Sequence, residues 1–146
     1  MSIAALLNDL EAKIGEYSDQ RGIRWWVDYQ QEERSTQLST TDKHTVMIMP
    51  LAVQFASELE PLAAAPGGQT HYRVVLEFVA FTPKHATPLQ GYDEIFELFR
   101  FLLSHGMRRG GDVYLTVEEV SALEYTQEAG QVIGRWQQRY HLRFAR

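Results

Sequence analysis

The sequence predicts an α+β fold: a mostly antiparallel, twisted sheet of about five strands with two helices on one face, ordered α-β-β-β-α-β-β. Three observations predict it. From Trp136 to Phe144 the even positions read Trp136, Gln138, Tyr140, Leu142, Phe144, and the odd ones Arg135, Gln137, Arg139, His141, Arg143. Successive strand side chains point to opposite faces, so this segment is a strand with one apolar and one basic face. Tyr72 to Thr82 alternates with apolar residues at both parities, the mark of a central strand. Ile95, Leu98, Phe99, Leu102 and Leu103 recur at helical spacing.

The elements follow in order. Ser2 caps a first helix whose stripe is Ile3, Leu6, Leu7, Leu10 and Ile14, with Gly15 as its expected stop. Gly22 to Tyr29 alternates as a first strand, and Gln30 to Asp42 reads as a polar loop. Thr45 to Phe55 is a second strand. Pro50 lies inside it and cannot donate to a ladder, so a bulge or an exposed edge is expected there. Ser57 to Gln69, with Pro61, Pro66 and Gly67-Gly68, reads as a linker-like loop.

After the Tyr72 strand, Pro83 to Pro88 turns the chain into a second helix over Leu89 to Ser104. Asp93, Glu94 and Glu97 sit early in it, Arg100 and His105 late, and Gly106 follows, an order that suits the helix dipole and a C-cap. Phe96 and Phe101 fall outside the stripe's centre. Val113 begins a strand, bulged at Glu118-Glu119, that runs through Tyr125. Gln127 to Gln131 forms a hairpin loop with Gly130, and the last strand returns to Phe144.

At 146 residues and 45% hydrophobic content, a single domain (1–146) with a real core is expected. The chain has no cysteine, which excludes disulfides, thiolate metal sites and a cysteine nucleophile. No apolar run reaches the roughly 20 residues of a membrane span. The first residues lack a basic leader, so a cytoplasmic protein is expected. Net charge is −5, yet Arg135, Arg139, Arg143 and Arg146 place +4 on the last 12 residues, leaving −9 on the other 134. An acidic bulk repels a nucleic-acid duplex, so binding through Arg108, Arg109 and the last-strand arginines is the least favoured reading. Association between copies, basic face to acidic face, suits this charge better. Alternatively, the arginines form the solvated side of an edge strand.

No catalytic or metal motif stands out. His44, His71, His85, His105 and His141 lack metal-site spacing, and neither a G-x-S-x-G elbow nor a G-x-x-x-x-G-K loop occurs. The adjacent acids Glu32-Glu33, Asp93-Glu94 and Glu118-Glu119 point apart on a strand or diverge by roughly 100° on a helix, so none forms a dyad. No enzymatic activity and no cofactor is expected. In Trp25-Trp26, alternation puts one ring in the core and one at a rim or interface. Trp26, Phe81 and the arginines Arg108, Arg109, Arg135, Arg139 and Arg143 are the candidate interface residues, since interfaces are rich in Trp and Arg.

Val46-Met47-Ile48-Met49-Pro50-Leu51 before a mid-chain loop, Tyr72 to Thr82 before Tyr92 to Leu103, and the closing Trp136 to Phe144 strand form an order of elements spanning nearly the whole chain. In that order and size the chain resembles tail-terminator and minor tail proteins of long-tailed bacteriophages and prophages. The resemblance implies a non-catalytic structural protein that forms a hexameric ring, caps the tail tube, ends its polymerisation and meets tail-tube and head-connector proteins. It also implies loops that order on assembly, matching Gln30 to Asp42 and Ser57 to Gln69. The alternative is a small-ligand-binding domain or enzyme. Its cavity would be walled by Trp25, Tyr72, Phe78 and Tyr140, with His44, His71 or Asp28 as polar groups.

Overall fold

The structure, a computed structural model, describes residues 2–29, 43–55, 70–84, 87–105, 114–128 and 130–144. Its elements are α1 (Ile3–Arg21), β1 (Trp25–Asp28), β2 (His44–Phe55), β3 (Thr70–Phe81), α2 (Pro88–His105), β4 (Tyr114–Glu128) and β5 (Gln131–Phe144). The expected order holds. The sheet runs β1-β2-β3-β5-β4, with β1 parallel to β2 and every other pair antiparallel. The stretches 30–42 and 57–69, Arg108, Arg109 and the Gly106 cap lie outside the described residues.

Ser2 caps α1 as expected, its hydroxyl accepting from the Ala5 amide at 3.1 Å. The helix does not stop at Gly15. Buried Tyr17 and Ser18 extend the stripe of Leu6, Leu10 and Ile14 by another turn, which outweighs the roughly 1 kcal/mol that a mid-helix glycine costs. The stop is Gly22, at φ 74°, whose amide bonds the Ser18 carbonyl at 2.9 Å. The first strand accordingly begins at Trp25 rather than Gly22. Its amide donates to the Ser18 hydroxyl at 3.0 Å, which docks β1 against the end of α1.

One face of the sheet carries the core. Val46 and Ile48 of β2, Val74, Leu76, Phe78 and Ala80 of β3, and Trp136, Tyr140 and Leu142 of β5 pack beneath Leu6, Leu10 and Ile14 of α1 and Ile95, Leu98, Phe99 and Leu102 of α2. Phe101, off the centre of the α2 stripe, meets Tyr17 of α1 with ring centroids 4.5 Å apart, whereas Phe96 remains exposed. On the opposite face Met47, Val79, Phe81 and Ile133 form a second buried cluster. β3 is thus apolar on both sides, as a middle strand requires. The bulge expected at Pro50 appears as a register shift between Pro50 and Ala52.

Two features press α2 onto β5. At the end of β3, the Thr82 amide donates to the Val132 carbonyl at 3.0 Å, the Val132 amide to the Thr82 hydroxyl at 3.1 Å, and the Gln131 side-chain amide to the Thr82 carbonyl at 2.8 Å. Next along β5, Gly134 lies directly beneath α2. A Cβ there would stand 2.5 Å from Ile95 Cγ2 and 3.2 Å from Leu123 Cδ1. Gly134→Ala is therefore expected to lower stability by about 1–3 kcal/mol through overpacking. Urea unfolding checks this, and a loss under about 0.5 kcal/mol would show that α2 is not held so closely.

The Trp136 strand is not an edge strand. It lies between β3 and β4, because the β4–β5 hairpin folds outward while β5 zips against β3 over its whole length. Among the described residues the outer strands are β1 and β4.

Candidate assembly interface

Trp26 reaches the surface through alternation within β1. Trp25 turns into the core, 3% exposed, and Trp26 turns to the opposite face, 51% exposed. The Lys43 ammonium lies 4.6 Å from the centre of the Trp26 ring, a cation–π contact that holds one positive charge on the outer strand. Arg24, just before the strand, donates to Asp19 at 2.7 Å. Beyond the strand, the Tyr29 hydroxyl donates to the Leu7 carbonyl at 3.2 Å and to the Glu11 carboxylate. Burial, and then the hydrogen bond and charge of Glu11, raise the Tyr29 pKa, so this phenol stays a donor at neutral pH.

Between α1 and β1 lies a groove of about 590 Å³ lined by Glu11, Ala12, Gly15, Arg24, Trp25, Trp26 and Val27. Ala12 and Gly15 leave its helix wall low. β1 covers only His44 to Met47 of β2, so from Ile48 to Phe55 the outer side of β2, away from β3, has no strand beside it among the described residues. Leu51 and Val53 are half exposed there. Of the seven large apolar side chains exposed among the described residues, four (Trp26, Tyr29, Leu51 and Val53) lie along this edge, and Val120 lies on the opposite edge strand, β4. Isolated exposed apolar residues are ordinary; their gathering at the sheet margins makes these margins the candidate contact surfaces.

The last-strand arginines sit elsewhere. Arg135 is exposed on the face away from the helices, two strands from β2, with Glu124 of β4 and Val79 of β3 as its neighbours in register. Arg139 is half buried, between Val75 and Glu118 in register. Glu77 of β3 flanks the intervening Gln137. In register, an acidic position of β4 thus stands beside each of Arg135 and Arg139 within the same sheet. Arg143 has His71 as its register partner. Phe81, also expected at an interface, is instead buried in the second cluster. The structure therefore brings Trp26 to an outer edge and places Arg135 and Arg139 in the interior of the sheet, without joining them into one patch.

The aromatic residues of the ligand-cavity reading are committed to packing. Phe78 and Tyr140 are wholly buried, Tyr72 nearly so, and only Trp25 borders the groove. The groove's described lining includes no histidine. Among the described residues no three His, Asp or Glu side chains gather as a metal site would need. No described helix is long and apolar enough to cross a membrane.

One polar pair had no signature in the sequence. His44 Nε2 lies 2.7 Å from Glu94 Oε1, and Gln90 Nε2 donates to Glu94 Oε2 at 3.1 Å. The His44 ring also meets Trp25 edge-on, centroids 5.0 Å apart. The pair ties the start of β2 to α2 across 50 positions of sequence. Sequence spacing cannot reveal such a contact, because the sheet alone brings the two residues together. No protein-family model and no curated protein matches this chain.

Proposed function

We propose that this chain is a structural tail-assembly protein of a bacteriophage or prophage, whose copies form a ring that caps the tail tube and ends its polymerisation. The observation that carries the reading is a sheet whose two outer strands have no further strand beside them among the described residues, with exposed apolar side chains gathered along them. Such edges are a liability in a solitary protein and contact surfaces in an assembly. The order of elements, which resembles that of tail terminators, lends further support. Copies of the chain, tail-tube protein and head-connector protein are its partners in this reading, and no residue is assigned a catalytic role.

The test is to add the purified chain to polymerising tail-tube protein and to image the products by electron microscopy. Tubes that stop lengthening and carry a ring at one end are the expected result. Tubes that grow as fast and as long as before, with no chain bound, would overturn the reading.

A further inference from the structure

We infer that copies of this chain associate head to tail by sheet continuation, the β4 edge of one copy pairing antiparallel with the β1 edge of the next. The inference rests on the proposed assembly role and specifies its contact.

Strand direction comes first. β1 and β2 run one way, β3 the other, β5 with β1, and β4 against it. If successive copies keep their helices on the same side, β4 of one copy meets β1 of the next in opposite directions. That gives the antiparallel ladder, the more stable of the two pairings. Two β1 edges can also pair antiparallel, about a two-fold axis normal to the sheet, but that contact closes a dimer and leaves both β4 edges unpaired.

Charge comes second. The fifteen residues of β4 include Glu118, Glu119, Glu124 and Glu128 and no lysine or arginine. At the β1 edge Lys43 stands over Trp26, Arg24 just before the strand is paired with Asp19, Asp28 ends the strand, and β2 has no acidic residue. Two β4 edges would repel one another, whereas β4 against β1 sets Glu128 against Lys43.

Length and register come third. β4 slips against β5 at three places, but from Glu124 to Glu128 it pairs without interruption. That regular run matches the four residues of β1. Glu124, Thr126 and Glu128 share the sheet face of Trp26 and Asp28. With Trp26 opposite Glu128, Asp28 falls opposite Thr126, so no like charges face each other and Lys43 comes beside Glu128. A contact between two different edges of the same chain closes into a ring when the rotation per copy permits.

The test uses two full-length variants altered at exposed positions. One carries Trp26→Glu and Lys43→Glu, the other Glu124→Gln and Glu128→Lys. Light scattering reads their mass against concentration, and circular dichroism with a thermal melt verifies that both fold as the parent does. Each variant alone is expected to need at least about tenfold more protein than the parent for the same degree of association. An equimolar mixture is expected to associate again, to at least twice the 16.8 kDa chain mass, because the unaltered β4 edge of the first variant meets the unaltered β1 edge of the second, and the two altered edges carry reversed charges that complement each other. A folded variant that associates as the parent does, a mixture no heavier than its parts, or a parent that never associates would overturn the inference. Tube capping by a parent that fails these tests would leave the assembly role standing with a different contact, so the two failures are distinguishable.

Discussion

Trp136→Ala is expected to destabilise the protein by about 3–5 kcal/mol, the range for emptying a fully buried aromatic site. Trp136 joins the sheet to its covering helix. Its ring lies nearly parallel to Phe78 at 5.2 Å, tilted by only 4°, and meets Phe99 of α2 edge-on at 5.3 Å. Each such aromatic pair adds about 0.5–1.5 kcal/mol to the burial itself, and truncation loses both. The helix cannot settle into the gap, because Ile95 already bears on Gly134 beside it. Trp26→Ala is the control. That ring is half exposed and touches Lys43, so its loss is expected to cost the isolated chain under about 1 kcal/mol. Urea unfolding of the two variants separates them. Equal losses would mean that Trp136 is not the centre of the core.

Gln138→Leu is expected to cost about 2–4 kcal/mol, although leucine fits an apolar core in volume and character. Gln138 is wholly buried between two aromatic residues of its own strand face. Its carbonyl accepts from Trp136 Nε1 at 2.6 Å, and its amide donates to the Tyr140 hydroxyl at 3.0 Å. Leucine removes both bonds and leaves the buried indole N–H without this acceptor, at about 1–3 kcal/mol for each group so deprived. Combined with Trp136→Phe, the change should show a coupling of about 0.5–3 kcal/mol in a double-mutant cycle. Additive losses would mean that the Trp136–Gln138 bond contributes nothing to stability.

These two residues show what the sequence made legible. Alternation placed Trp136, Gln138, Tyr140 and Leu142 on one face, and that face is the buried one. It did not explain why a glutamine stands among aromatics. That reason is a chain of hydrogen bonds between side chains two residues apart, which hydrophobicity patterns do not encode. The elements, their order and the central position of β3 were legible for the same reason: period and capping chemistry are local. Gly15 misled because a glycine alone does not end a helix. The apolar stripe continued through Tyr17, and a better C-cap followed at Gly22.

Strand neighbours were the larger gap. The basic parity of the last strand was plain, and it suggested an edge strand. Pairing put that strand inside the sheet beside the glutamates of β4, and it left Trp26 and the short β1 outermost. Long-range pairing also created the His44–Glu94 contact and pressed Gly134 against Ile95. Each of these depends on which strands meet. Of the expected interface residues, Trp26 lies on an outer edge, as its exposed parity required. Arg135 and Arg139 do not, because their place was set by β4.

The most direct test of assembly through these edges is the solution mass of the unmodified chain. It would be measured by light scattering over a wide concentration series at low and at moderate salt. Assembly through the edges gives a mass that climbs above 16.8 kDa towards a ring-sized species and falls back as salt screens the contact between acidic β4 and Lys43. A salt-independent monomer at every concentration would contradict it.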